Sequence, residues 1–314
     1  MKTVFLLGPG HCGSTLFDLL LGSHSRGFSL GELYRLGHML AQRGGEAPHL
    51  CGVCAGRCAF WNEQVSLQRL RLLYQADTFS RRVRSRLARA IWNPYWSLSQ
   101  WSDRDLLIDS SKHPHWVSKQ LAAGNWRGIE PVLIHVVRDG RAVVSSYDRK
   151  YPQRGLEAIC ANWRDRLQQI LDFYDQFNRG IKFEVRYEAL ATDPEATLRS
   201  TCIQLGIGFE AEMLRYWTHD HHHLMGNGGT RSMIFRYRME QSDGVDAATA
   251  NRMQEAKQHY VHDYYDTKDI GITLDERWKR ELSATDLATF ERVAGPLNHQ
   301  LGYSDRAGQA QQAA

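Results

Sequence analysis

Three groups of residues in this chain have types and spacings that could do chemistry. The first is Gly8-Pro9-Gly10-His11-Cys12-Gly13-Ser14-Thr15. It has the G-x-x-x-x-G spacing of a Walker A loop, but Ser14 stands where that loop carries Lys. A nucleoside triphosphatase uses that Lys, with Mg²⁺, on the β/γ-phosphates. Without it, the loop still offers backbone N–H groups and a helix N-terminus to an anion. The expectation is a chain that grips a phosphate without hydrolysing ATP. The second group is Arg138 with Ser146, eight residues on, across the turn Asp139-Gly140. Arg supplies a rigid bidentate fork for phosphate and Ser a hydroxyl. The structural alternative for Arg138 is a helix-capping ion pair. The third group is Cys51, Cys54 and Cys58, with His49 two residues ahead of Cys51. That spacing suits zinc, with His49 as fourth ligand, or reduced thiols packed in a loop, or a redox-labile pair. No second pair of ligands follows downstream, so no metal is assigned. The run His219, His221, His222 and His223 points in several directions. It reads as a loop beside the phosphate site, cationic at low pH, rather than as a metal site.

The elements that must position these groups alternate. Apolar runs predict strands at Thr3–Leu7, Leu106–Ile108, Val132–Val137 and Ile181–Val185. Ile159, Trp163, Leu167, Ile170, Leu171 and Tyr174 recur at helical spacing. Asp193 and Pro194 start a further helix, with Ala196, Leu198, Cys202 and Leu205 inside it and Gly206 at its end. Such alternation implies an α/β fold: a three-layer, P-loop-like arrangement with a central parallel sheet flanked by helices. Residues 40–104 read as a helical insertion and 217–245 as a loop. A single domain over 1–305 is expected, followed by a frayed tail at 306–314. Cys160 and Cys202 read as small core residues.

Composition bounds the function. The 314 residues are 42% hydrophobic and 24% charged, with a net charge of +4. That is a globular composition whose mild basicity suits an anionic ligand but argues for no nucleic-acid partner. The basic run Arg81–Arg86 reads as a solvated helix face, a polyanionic acceptor being the alternative. The apolar run near the N-terminus stops at Gly8-Pro9, too short for a secretory signal. No run approaches the roughly 18 residues of a membrane span. A cytoplasmic location is expected; the oligomeric state is not readable.

The ordered set of segments resembles the sulfotransferases that use 3′-phosphoadenosine 5′-phosphosulfate (PAPS). The segments are Gly10–Leu16, Val137–Ser146, Val185-Arg186-Tyr187-Glu188-Ala189-Leu190, Gly226–Arg231, and Trp278–Leu282 through Leu301-Gly302-Tyr303. The resemblance implies that Gly10, His11, Cys12, Gly13, Ser14 and Thr15 form the 5′-phosphosulfate loop. It implies that Arg138 and Ser146 hold the 3′-phosphate, that Tyr187 lies near the adenine, and that Arg231 reaches the 3′-phosphate. PAPS is then the donor substrate, with no metal required, and the acceptor a hydroxyl on a small molecule or glycan, on a peptide tyrosine, or on a lipid.

Sulfuryl transfer needs anion stabilisation at the leaving phosphate and a base for the acceptor hydroxyl. Gly31-Glu32 resembles the place of the catalytic Glu in tyrosylprotein and some bacterial carbohydrate sulfotransferases. His113, before Pro114, is similarly placed to the base of cytosolic sulfotransferases. Glu32 ranks first and His113 second; their structural alternatives are an exposed helix-start Glu and a surface loop His. Asp109 and Lys112 are expected to pair locally or to bind acceptor or sulfate. His11 departs from the family, whose members often carry Lys or Arg there. It can act only if protonated or as a neutral N–H donor. The rival readings are a nucleotide or small-molecule kinase with a degenerate loop, and a non-catalytic nucleotide-binding protein.

Overall fold

The computed structural model describes residues 1–41, 50–54, 58–74, 78–241, 247, 250–251, 254, 264–265 and 268–304. The expected tail at 306–314 and His49 lie outside the described residues. Five strands form one parallel sheet: β1 (Lys2–Leu7), β2 (Gly27–Gly31), β3 (Leu106–Lys112), β4 (Glu130–Val137) and β5 (Lys182–Arg186). Their order is β2-β3-β1-β4-β5, with every neighbour parallel. The central strands are apolar because helices cover both faces: Val4, Leu6, Leu7, Ile108, Leu133 and Ile134 are all buried. The chain leaves β1 for β3 and β2 on one side and for β4 and β5 on the other. The carboxyl end of β1 is therefore the switch point, where open α/β sheets bind ligands.

Four of the five strands match apolar runs. β2 was not predicted: Gly-Phe-Ser-Leu-Gly is short and bracketed by glycine. It holds its place by pairing with β3 and by an isolated bridge from Gly31 to Leu224. β3 runs four residues beyond its apolar run, because Asp109, Ser110, Ser111 and Lys112 are buried polar residues with partners of their own. Asp109 accepts from Tyr95 Oη at 2.6 Å, from Trp116 Nε1 at 2.8 Å, and from Ser111. The expected Asp109–Lys112 pair is therefore not formed, and Asp109 is structural.

The helices follow expectation in kind. α1 (Ser14–Gly22) follows the glycine turn, and α2 (Leu36–Ala41) follows β2 after a short 3₁₀ turn. Within the insertion lie α3 (Leu67–Tyr74), α4 (Phe79–Ile91) and α5 (Pro94–Ser102), with no strand among the described residues. The arginines of 81–86 ride on α4, beside exposed Phe79 and Leu87. α6 (Pro114–Ala123) follows β3, and α7 (Gly140–Lys150) follows β4. α8 (Leu156–Gln176) contains the periodic run at 159–174 and packs Trp163 and Leu167 on Phe290 of the helix Ala284–Gln300. α9 (Tyr187–Thr192) follows β5. In α10 (Pro194–Leu205), Asp193 caps the start by accepting from Ala196 N at 3.0 Å, and Gly206 closes the end.

The loop expected at 217–245 is in part a helix, α11 (Gly228–Gln241). Asn227 starts it by accepting from Thr230 N at 3.0 Å. Its pattern is hidden because Gly229, Arg231 and Ser232 are buried along with Met233, Ile234 and Phe235. The histidine run divides by burial. His221 and His223 are buried; burial pushes His221 down to about 3 and His223 well below its ordinary value. Burial opposes charge on His222 too, but Cys54 and Cys58 hold it up at about 9.

Beneath the site, Asp18 of α1 is fully buried and accepts from Ser110 Oγ at 2.6 Å. Burial pushes its pKa from 3.8 up to about 7. The folded state then binds more protons than the unfolded state between those pH values, so stability falls as pH rises through that window. Asp18→Asn cannot ionise. Its melting temperature relative to wild type is expected to climb between about pH 4 and pH 7 and to level off above. A pH-independent difference would show that Asp18 titrates normally.

Candidate active site

The switch point opens into a cleft of about 440 Å³. Its floor is the turn between β1 and α1. Gly13 ends that turn in the left-handed region, with φ at 95°, and a Cβ there would overlap the Tyr187 ring. At Gly10 a Cβ would strike the Tyr147 hydroxyl. Glycine at these two positions lets aromatic rings close on the loop from both sides. Gly10, His11, Gly13, Ser14 and Thr15 all line the cleft. Cys12 does not: its side chain is buried and its N–H is taken by Pro9 O at 3.3 Å. Cys12 thus braces the turn from beneath.

Arg138, at the end of β4, and Ser146, on α7, face the same cleft. Arg138 Nη1 donates to His11 O at 2.8 Å and Nη2 to Asp275 O at 3.0 Å; the Asp275 carboxylate lies 3.5 Å away. Its guanidinium carbon lies 4.1 Å from the Tyr187 ring centre. Its Nε is buried without a hydrogen-bond partner among the described residues. The C-terminal segment braces this corner. Asn298 Oδ1 accepts from Gly140 N at 2.8 Å, and Tyr303 Oη donates to Glu188 at 2.6 Å. Tyr187 lines the cleft beside Gly13 of the loop.

His11 takes the neutral form. Burial lowers its pKa to about 3, helped by the charges of Lys150, Arg138, Lys112 and Arg149. That shift favours the neutral ring, which can act as an N–H donor. Its Nδ1 lies 3.0 Å from Ser146 Oγ. When the hydroxyl donates to Nδ1, the proton is on Nε2.

Across the cleft Glu32 Oε1 accepts from Lys112 Nζ at 2.5 Å, with Arg35 Nε 4.0 Å from Oε2. Glu32 begins a 3₁₀ turn after β2, yet its side chain is largely buried and lines the cleft instead of facing solvent. Lys112 ends β3 with φ at 69°, next to an irregularity in the β1–β3 register. That left-handed residue accompanies a break in pairing and places an ammonium at the sheet edge. His113 does not line the cleft. Its ring meets Tyr34 edge-on at 4.6 Å and takes a hydrogen bond from Arg166 Nη2 at 2.9 Å to Nδ1. Burial and the Arg166 charge lower its pKa to about 4.

Residues 226–231, which run into the start of α11, meet the glycine turn. Asn227 N donates to Thr15 Oγ1 at 3.0 Å, and Arg231 lines the cleft while donating to Gly52 O. Several cleft residues escaped the sequence reading: Arg35, Lys150, Arg166, Lys268 and Asp275. Lys150 carried a usable signal, since it follows Ser146 by four residues on one helix. Arg166 and Lys268 carried none, because only the packing of α8 and of the segment near 268 brings them here. Among the described residues, seven Lys and Arg side chains line the cleft against two carboxylates, Glu32 and Asp275.

A family model described as the sulfotransferase family matches residues 3–211. The sulfotransferase domain from the olefin synthase of Synechococcus PCC 7002 superposes with a TM-score of 0.59 at 20% identity, covering 97% of this chain and 95% of that one. The sulfotransferase domain from the curacin biosynthetic pathway gives a TM-score of 0.57 at 20% identity, covering 96% and 97%. No curated protein matches the chain. The match over two thirds of the chain includes the glycine turn, Glu32, Lys112 and Arg138, and so this chain belongs to the sulfotransferase family.

Proposed function

We propose that the chain transfers a sulfuryl group from PAPS to a hydroxyl of an acceptor. The observation that carries this reading is the cationic cleft, with glycine turn and Arg138 at one end and the Glu32–Lys112 pair at the other. A donor with phosphates at its 5′ and 3′ positions suits two separated anion sites, one at the loop and one at Arg138, Ser146 and Arg231. The tight approach of Tyr187 to Gly13 suits a stacked adenine. In the step itself, the acceptor oxygen attacks sulfur, and the bond from sulfur to the bridging phosphate oxygen breaks. The acceptor proton passes to a Glu32 carboxylate oxygen, and the electron pair leaves with the 5′-phosphate. In this scheme Lys112 and the His11 N–H would meet charge on the bridging oxygen and the sulfuryl oxygens. No step in this scheme uses a metal ion. The two structural neighbours come from an olefin synthase and from the curacin biosynthetic pathway, which supports an acceptor from a biosynthetic pathway.

Donor binding tests the reading directly. The desulfated product, 3′-phosphoadenosine 5′-phosphate (PAP), is expected to raise the melting temperature with no Mg²⁺ present. Ligand at about 100 times its Kd stabilises by about 2.7 kcal/mol. Stabilisation by ATP with Mg²⁺ and not by PAP would identify a kinase instead. PAP binding without sulfuryl transfer to any acceptor in a labelled-PAPS screen would leave a non-catalytic binder.

A further inference from the structure

The structure completes the cysteine cluster with a residue far from it in sequence. Sγ of Cys51, Cys54 and Cys58 and Nδ1 of His222 all lie within 4.8 Å of one another. His222 Nδ1 is 3.3 Å from Cys54 Sγ and 3.2 Å from Cys58 Sγ. A tetrahedron with Zn–S of about 2.3 Å and Zn–N of about 2.0–2.1 Å has edges of about 3.5–3.8 Å, so small side-chain shifts complete it. We propose that Cys51, Cys54, Cys58 and His222 form a structural zinc site.

Three further features fit a metal centre. First, the sulfurs accept backbone N–H groups: Val53 N and Cys54 N approach Cys51 Sγ at 3.4 and 3.3 Å, and Trp61 N approaches Cys58 Sγ at 3.5 Å. Such bonds support thiolate ligands. Second, the imidazole is held in one orientation. It stacks on Phe60 at 5.6 Å and on Phe28 at 6.0 Å, while His222 O accepts from Trp61 Nε1 at 2.5 Å. Third, the donor set is three sulfurs and one nitrogen, all from protein. That is a closed set, which suits soft, tetrahedral Zn²⁺ in a structural role rather than a catalytic ion with an open position. A disulfide would use only two of the three sulfurs and would leave the imidazole without a purpose.

The site would act as a clip. Cys51 bridges to Leu224, and Gly52 N donates to His223 O at 2.8 Å. Arg231 donates to Gly52 O, and Cys51, Gly52 and Gly226 reach the cleft wall. A metal joining residues 51–58 to residue 222 therefore fastens the helical insertion to the loop that precedes Arg231. The clip does not depend on what the cleft binds. Its influence on the cleft would be through the placement of Arg231.

The test uses the full chain, expressed with added zinc and freed of any affinity tag. Elemental analysis is expected to give about one zinc per chain, matching a one-ion, four-ligand site. Co²⁺ exchange should produce the intense visible bands of a tetrahedral thiolate complex. Chelation should lower the melting temperature, and re-addition of Zn²⁺ should restore it. His222→Ala and Cys58→Ser should lose the metal, whereas Cys160→Ala, altered in the core outside the cluster, should keep it. Metal-free protein with three free thiols, or with a disulfide within the cluster by mass spectrometry, would overturn the proposal, even if the ligand variants do not fold. Stoichiometric zinc whose removal leaves the melting temperature unchanged would overturn its structural role. PAP affinity measured alongside separates this site from the donor reading: zinc content stands or falls without PAP binding.

Discussion

Glu32→Gln is expected to cut turnover by about 10²–10⁴-fold, the usual contribution of a positioned base, while PAP binding stays near wild type. The carboxylate sits across the cleft from the glycine turn, where an acceptor hydroxyl would approach the donor sulfate. Gln keeps the size and can still meet Lys112 with its carbonyl oxygen, but it cannot take a proton at pH 7. Lys112 Nζ at 2.5 Å from Oε1 fixes the carboxylate and leaves Oε2 toward Arg35. His113→Ala is the control. His113 lies outside the cleft lining, accepts a hydrogen bond from Arg166, and packs against Tyr34, so its loss should act on stability more than on turnover. Steady-state rates with saturating PAPS, read beside PAP affinity, check both variants. Collapse of turnover in His113→Ala with Glu32→Gln active would reverse the two roles. Full activity in both would place the base elsewhere.

Arg138→Ala is expected to weaken PAP binding by about tenfold to a hundredfold, as charge-assisted hydrogen bonds are worth about 1.5–3 kcal/mol each. Arg138 is also part of the structure, because it bridges His11 O and Asp275 O. A fall in affinity alone would therefore not show a phosphate contact. The discriminating measurement compares PAP with adenosine 5′-phosphate, which lacks the 3′-phosphate. In wild type PAP should bind more tightly; in Arg138→Ala that preference should largely vanish. Equal losses for both ligands would make Arg138 a support for the loop and not a 3′-phosphate ligand. Calorimetric titration of each ligand against both proteins supplies the four affinities.

The fold was readable where a signal is local. The apolar runs of β1, β3, β4 and β5, the spacing of Ile159 to Tyr174, and the Asp193-Pro194 start with the Gly206 end each fall within one element. Their burial and capping in the structure match. β2 and α11 were unreadable for opposite reasons. Gly27–Gly31 has too few side chains to show alternation, and α11 buries polar and apolar residues together, which erases periodicity. The line between strand and loop at Asp109–Lys112 was misread for a related reason: polar residues look like a boundary unless their buried partners are known.

By itself the sequence determined the glycine turn after an apolar strand, Arg138 and Ser146 across a turn, and Glu32 just past Gly31. Each depends on residues adjacent in the chain, so backbone preference and short-range spacing suffice. Tertiary structure alone decided the rest. Lys112 meets Glu32 across 80 residues, and His222 joins Cys58 across 164. The His11 pKa is pushed down because burial and four surrounding cations act on it together. Sheet order and the closure of the insertion bring these groups together. Contact and desolvation across such separations depend on how whole elements pack, which no local pattern of residues encodes.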